Sequence, residues 1–157
     1  MKDATLDWES SREHEVGVAL AAIQIGKDLR IIIIRNDFDN KADRSFTVFI
    51  NPEITKYEGR IEEDFEGCLS VTDIYGKVPR HNKIRLRALD ENGQKIRVKA
   101  EGFLARVIQH EVDHLNGKLF IDHIKYDPSA FYKLTDHGKL EELPYEHVQH
   151  SHILSDD

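Results

Sequence analysis

Phe103-Leu-Ala-Arg-Val-Ile-Gln-His-Glu-Val-Asp-His-Leu-Asn-Gly117 is the stretch around which the rest of the chain is organised. Phe103, Val107, His110 and His114 recur at three- and four-residue intervals, with Leu104, Ile108 and Leu115 alongside. That period predicts a helix with a buried stripe. Gly117, after Asn116, supplies a stop, because glycine accepts the positive φ of a helix C-terminus. His110 and His114 lie one turn apart and project from one face. Both imidazoles can therefore reach one metal ion, with Glu111 beside its open position. The only cysteine, Cys68, offers a thiolate from a distant segment as a third ligand. Three protein ligands and a place for water make a hydrolytic site, whereas structural sites usually close all four positions. Taken separately, the same residues are two unrelated helix histidines with their own partners and a small buried thiol.

Outward from the helix, Arg30-Ile-Ile-Ile-Ile-Arg35 is an apolar β-branched run between charges and predicts a buried strand. Phe46-Thr-Val-Phe-Ile-Asn51 predicts a second strand, ended by Pro52. Residues 84–89 and 96–100 alternate on either side of Asn92-Gly93, a hairpin pattern. Residues 9–16 are polar and compatible with a short helix. Strands first and one long helix afterwards imply an α+β fold, with antiparallel or mixed sheets packed around a central helix. One domain over 1–157 is expected, with its core at about 17–123 and an acidic extension at 127–157. That extension holds seven acidic residues against Lys133 and Lys139. His137, His147, His150 and His152 also fall there, spaced irregularly on a polar stretch. It reads as a solvated tail that packs partly through Phe131, Tyr132, Leu134 and Tyr145.

The net charge of −7 argues against general affinity for DNA or an anionic membrane surface. No apolar run approaches the ~18–20 residues that cross a bilayer, and the first residues lack the apolar core of a secretion signal. One cysteine forms no internal disulfide, so a cytoplasmic enzyme is expected.

Three segments together carry a resemblance: Gly17-Val-Ala-Leu-Ala-Ala-Ile-Gln24, Glu66-Gly-Cys-Leu-Ser70 and Gln109-His-Glu-Val-Asp-His114. In this order they resemble the three motifs of the peptide deformylase family, and the likeness runs through Gly76-Lys-Val-Pro-Arg80 and the hairpin to about residue 123. Ala19 stands where the first motif has its second glycine, and Ser70-Val-Thr-Asp73 replaces a usual Ser-Val-Pro-Gly. Only 16 residues precede Gly17, so a shortened leading segment is expected.

The resemblance implies removal of the formyl group from N-formylmethionine at the start of newly made proteins, releasing formate. It implies a divalent ion on Cys68, His110 and His114, most often Fe²⁺, with Zn²⁺, Ni²⁺ or Co²⁺ also suited to one thiolate and two imidazoles. Glu111 would be the proton carrier. The Gln24 amide and the Leu69 backbone N–H would be donors to the oxyanion. Gly17, Val18, Ala19 and Gly67 would border an extended substrate, paired with backbone at Val18 and Gly67. The methionine slot would be walled by Val18, Phe103, Val107 and the stem of Arg106. The Ala19 methyl is expected to narrow the approach and weaken substrate binding. Glu66 is expected to pair with Arg80 and brace the cysteine loop, and Asp113 to orient a helix neighbour or a histidine. Formylated nascent chains are the implied partners, with a transient ribosome contact possible in the family.

Plainer alternatives accompany these roles. Gln24 also suits a turn cap before Gly26, Gly67 a tight turn, and Phe103 and Val107 ordinary core packing. A zinc endopeptidase, a metal-free cysteine hydrolase using Cys68, and a deformylase-like protein that only binds metal or formylated chain ends are the competing functions.

Overall fold

The computed structural model describes residues 1–10, 18–37, 40, 42–68 and 71–149. Seven strands form one sheet: β1 (Ala19–Ala21), β2 (Ile31–Arg35), β3 (Phe46–Cys68), β4 (Val71–Leu89), β5 (Lys95–Glu101), β6 (Phe131–Leu134) and β7 (Leu140–Glu142). Their order is β1-β2-β3-β4-β6-β7, with β5 also paired to β4. Every pairing described is antiparallel, the simpler of the two sheet arrangements expected. Helix α1 spans Lys2–Ser10, α2 Gly102–Leu115 and α3 Tyr145–Gln149, and 3₁₀ turns occupy Ala22–Ile25 and Phe120–His123. The short helix expected at 9–16 overlaps α1 only at its end; residues 11–16 lie outside the described part.

The isoleucine run is apolar throughout because both its faces are covered. Ile32 and Ile34 point into a core shared with Ala105, Ile108 and Val112 of α2. Ile33 turns the other way, with Leu20 and Phe46, beneath Met1, Ala4 and Leu6 from the start of the chain. A strand buried on both sides loses the alternation that half-buried strands show.

Pro52 does not end its strand. The β3–β4 register shifts between Ile50 and Glu53, and Asn51 takes a φ of 51° there. This irregularity spares proline a ladder hydrogen bond it cannot donate, and β3 continues to Cys68. Further shifts separate Ile54 from Lys56 and Glu58 from Ile61, which breaks the period of two over residues 52–68. The hairpin at 90–94 forms as expected, with Gly93 at φ 77° and the Asp90 carboxylate accepting from the N–H groups of Asn92 and Gln94.

Helix α2 ends as its sequence predicts. Gly117 lies at φ 77°, its N–H donates to the His114 carbonyl, and the Lys118 N–H donates to Asp113. That pair of bonds is the Schellman arrangement. Arg30 donates to the Leu115 carbonyl at 3.0 Å and supports the same end. The buried surface of α2 is wider than one stripe, since residues 105–112 are all buried. Phe103 leaves the expected stripe and is 46% exposed, while Arg106 and Gln109 are buried in its stead.

Between Asp127 and Gln149 the chain is more ordered than its composition suggests. β6 pairs Tyr132 with Tyr75 and Phe131 with Gly76, and β7 pairs with β6. Phe131 and Val148 join Val78, Phe120, Ile121 and Ile124 in a second core, with Tyr145 packed against it. A few buried side chains anchor a segment that is otherwise polar.

Candidate metal centre

Cys68 ends β3, and His110 and His114 come from the middle and last turn of α2. The sulfur lies 3.1 Å from His114 Nε2, which lies 3.1 Å from His110 Nε2. One ligand atom from each of the three residues falls within 4.8 Å of the others. Such separations suit bonds of about 2.0–2.3 Å to one shared ion. Among the described residues this is the single metal-competent cluster of histidine, cysteine and carboxylate groups. His137 and His147 are exposed, and His150 and His152 lie outside the described residues.

The electrostatics fit a cation. Burial alone would push the Cys68 thiol up, but hydrogen bonds from His110 and His114 outweigh it and bring its pKa down to about 5. Burial would likewise lower His110; its contacts with Cys68 and Glu66 prevail and raise it to about 10. A thiol with a lowered pKa beside two imidazoles is the donor chemistry a divalent ion takes, because its ligands must be deprotonated.

Glu66 fixes the orientation of His110. Its Oε1 accepts from His110 Nδ1 at 2.7 Å, which leaves Nε2 turned to the cluster. Arg80 donates to both its oxygens at 2.8 and 2.9 Å, and Arg106 Nη1 to Oε2 at 2.7 Å. Burial opposes ionisation of Glu66, yet the hydrogen bonds of Arg80 and His110 hold it well below the usual carboxylate range. Arg80 continues to Asp113 at 2.7 Å, and Asp113 accepts from His123 Nε2 at 2.8 Å. The expected Glu66–Arg80 pair is present, and Asp113 orients a histidine, His123, as well as Arg80.

Glu111 is buried, and its Oε2 has no hydrogen-bond partner among the described residues. Burial raises its pKa to about 7. That oxygen keeps the capacity to accept a hydrogen bond beside the cluster. Gln24 reaches the cluster from the 3₁₀ turn after β1. Its Oε1 accepts from the Ala21 N–H at 2.8 Å, which turns Nε2 toward the Cys68 sulfur, 3.3 Å away. Turn-capping and donation to the site are therefore performed by the two ends of one amide.

The other predicted residues are placed as follows. Val18 and Ala19 are at the start of β1, the terminal strand of the sheet. The Ala19 side chain is only 9% exposed and packs in the α2 core. Gly67 is in β3 rather than a turn, and a Cβ there would meet the Tyr75 ring at 2.4 Å. Val107 is buried. The Arg106 head group is spent on Glu66 and on the carbonyls of Val78 and Glu62, each at 2.7 Å, which ties α2 to β3 and β4. Gly17 and Leu69 lie outside the described residues. Sequence reasoning missed Phe120, whose ring stacks on His110 with centroids 6.0 Å apart and planes 18° from parallel. It also missed Tyr75 over Gly67. Neither belongs to a residue pattern of its own.

With this geometry in place, the relatives can be set beside it. The family model described as polypeptide deformylase matches residues 3–128. The chain belongs to that family. It is 47% identical to a peptide deformylase of Psychrobacter cryohalolentis over 108 residues, 69% of this chain and 57% of the relative. It is 42% identical to peptide deformylase 2 of Bordetella bronchiseptica over 141 residues, 87% of this chain and 76% of the relative. A crystal structure of a peptide deformylase from Legionella pneumophila superposes with a TM-score of 0.67 at 41% identity, covering 78% of this chain and 66% of that one. The chain spans 57% of the length of each of the two Psychrobacter relatives it matches.

Proposed function

We propose that this chain is a metal-dependent amide hydrolase that removes the N-formyl group from the formylmethionine of newly made proteins and releases formate. The observation that carries the reading is the convergence of Cys68, His110 and His114 from β3 and α2, with Gln24 Nε2 3.3 Å from the sulfur and Glu111 Oε1 4.0 Å from His110 Nε2. When bound, a divalent ion would act as a Lewis acid and lower the pKa of water at the site. Its fit rests on the donor set: a depressed thiol, two imidazole Nε2 atoms on one point and a carboxylate behind His110. Fe²⁺ is the proposed ion, and Zn²⁺, Ni²⁺ and Co²⁺ suit the same ligands.

Glu111 takes the proton of the attacking water and passes it to the departing amine, a role worth about 10²–10⁴ in rate. As the formyl carbon becomes tetrahedral, its oxygen gains charge and accepts from the Gln24 amide, with the Leu69 N–H as the second donor. Loss of one such donor costs about 10²–10³. The formylated chain end lies extended along β1 near Gly17, Val18 and Ala19 and against Gly67, pairing with backbone at Val18 and Gly67. Its methionine fills a slot bounded by Val18, Val107, the Arg106 stem and the half-exposed Phe103, with His110 at the mouth. The partners are formylated nascent chains in the cytoplasm, met at or near the ribosome. No helix among the described residues is long and apolar enough to cross a membrane.

Formate release from a formyl-Met tripeptide by anaerobically metal-loaded protein tests this reading. Turnover that disappears with a chelator and returns with Fe²⁺ is expected. Turnover that survives full metal removal points to Cys68 as nucleophile, and metal uptake without formate release to a binding protein.

A further inference from the structure

The second core lies directly behind the candidate metal centre. Cys68 packs against it, and Phe120, a member, is stacked on the His110 ring. Three of its buried residues, Ala130, Phe131 and Val148, lie past residue 128, where the family match stops. We propose that residues 130–148 are a positioning element for the metal ligands, acting through Phe120 on His110 and through the shared core on Cys68.

The contacts run in sequence. A Cβ on Gly76 would meet Ile124 at 2.2 Å and Phe120 at 3.1 Å, so both side chains ride directly on the β4 backbone. β6 pairs with β4 at the same level, with Phe131 opposite Gly76. Val148, fully buried, closes the cluster from α3, and the Tyr145 hydroxyl donates to the Lys125 carbonyl to hold α3 against the 3₁₀ turn region. Interiors are close-packed, so a void opened in this cluster frees Phe120 to move. Glu66 fixes one edge of the His110 ring by a hydrogen bond, and Phe120 fixes its plane. Outer partners of ligating histidines set both orientation and affinity.

The proposal rests on reading Cys68, His110 and His114 as metal ligands, and Co²⁺ alone is a sufficient probe. Co²⁺ affinity by chelator competition and the visible spectrum of the Co²⁺-loaded full chain are compared for wild type, Val148→Ala and Ile33→Ala. The last opens a void in the separate core under α1. We expect Val148→Ala to weaken Co²⁺ binding about tenfold and to shift the ligand-field bands. Ile33→Ala should lower the melting temperature at least as much and leave both readouts as in wild type. Unchanged affinity and spectrum in Val148→Ala, or equal changes in the two variants, overturn the proposal. If Val148→Ala does not fold, Tyr145→Phe, which removes one hydroxyl, is read by the same criteria with a smaller expected shift. Failure of the wild-type chain to take up Co²⁺ overturns the ligand reading itself, and this proposal with it.

Discussion

Replacing Glu66 by alanine tests the site and the fold together. The carboxylate is buried and accepts four hydrogen bonds: two from Arg80, one from Arg106 and one from His110. Removing one member of a buried ion pair costs about 3–5 kcal/mol, because the other charge remains buried. Here the remaining charges are not stranded. Arg80 keeps Asp113, and Arg106 keeps the carbonyls of Val78 and Glu62. The low end, about 3 kcal/mol, is therefore expected, which lowers Tm by roughly 6–12 °C in a chain of this size. His110 also loses the acceptor at Nδ1, and metal affinity should fall about 10–100-fold. Urea denaturation of the metal-free protein and Co²⁺ titration against a chelator measure the two effects. A loss under about 1 kcal/mol, with unchanged affinity, would refute the bracing argument. The pH dependence supplies a second check. Burial raises the Glu66 pKa, but Arg80 and His110 hold it far below its ordinary value of 4.5. The folded carboxyl thus stays charged where the unfolded one has begun to protonate. Its stabilisation is complete above about pH 4.5 and is lost as pH falls further. Glu66→Gln should flatten that acid limb.

Three further outcomes are expected. Glu111→Gln should keep the metal and lose about 10²–10⁴ in kcat for formate release. Because burial raises its pKa from 4.5 to about 7, the metal-free wild type loses stability as pH rises through that window, and the Gln variant should not; chemical denaturation at pH 5 and pH 8 compares them. Metal-free Cys68, with a pKa of about 5, should be alkylated by iodoacetamide at nearly constant rate from neutral pH down to about 6, slow below pH 5, and be protected by metal; mass spectrometry follows the modification. Ala19→Gly should cost about 1 kcal/mol through lost packing and added chain freedom with little change in KM, since the methyl is buried in the core. A several-fold fall in KM would restore the expectation that it narrows the approach.

Much of this protein was legible before any coordinates. The helix at 102–115, its glycine stop, the isoleucine strand and the hairpin at 90–94 are local statements, set by period and turn chemistry that neighbours in sequence already contain. The pairing of His110 and His114 was legible for a related reason: their spacing fixes a shared face wherever the helix packs. The long strand through Pro52 was not, because register shifts erase its period and pairing with β4 is what makes those residues a strand. After Asp127 the packing of Phe131 and Tyr145 was legible from their apolar rings, but strands β6 and β7 were not, because a polar composition hides pairing that distant β4 supplies.

The sequence alone placed His110 and His114 on one helix face and Glu111 beside them, because helix geometry fixes the direction of side chains four apart. Tertiary structure decided everything that depends on environment. It brought the Cys68 sulfur within 3.1 Å of an imidazole on another element. It made Glu66 the meeting point of two guanidinium groups and a histidine, and it turned the Ala19 methyl into the core. Spacing constrains direction along one element; burial and partnership, which set charge and orientation, arise only when distant elements pack.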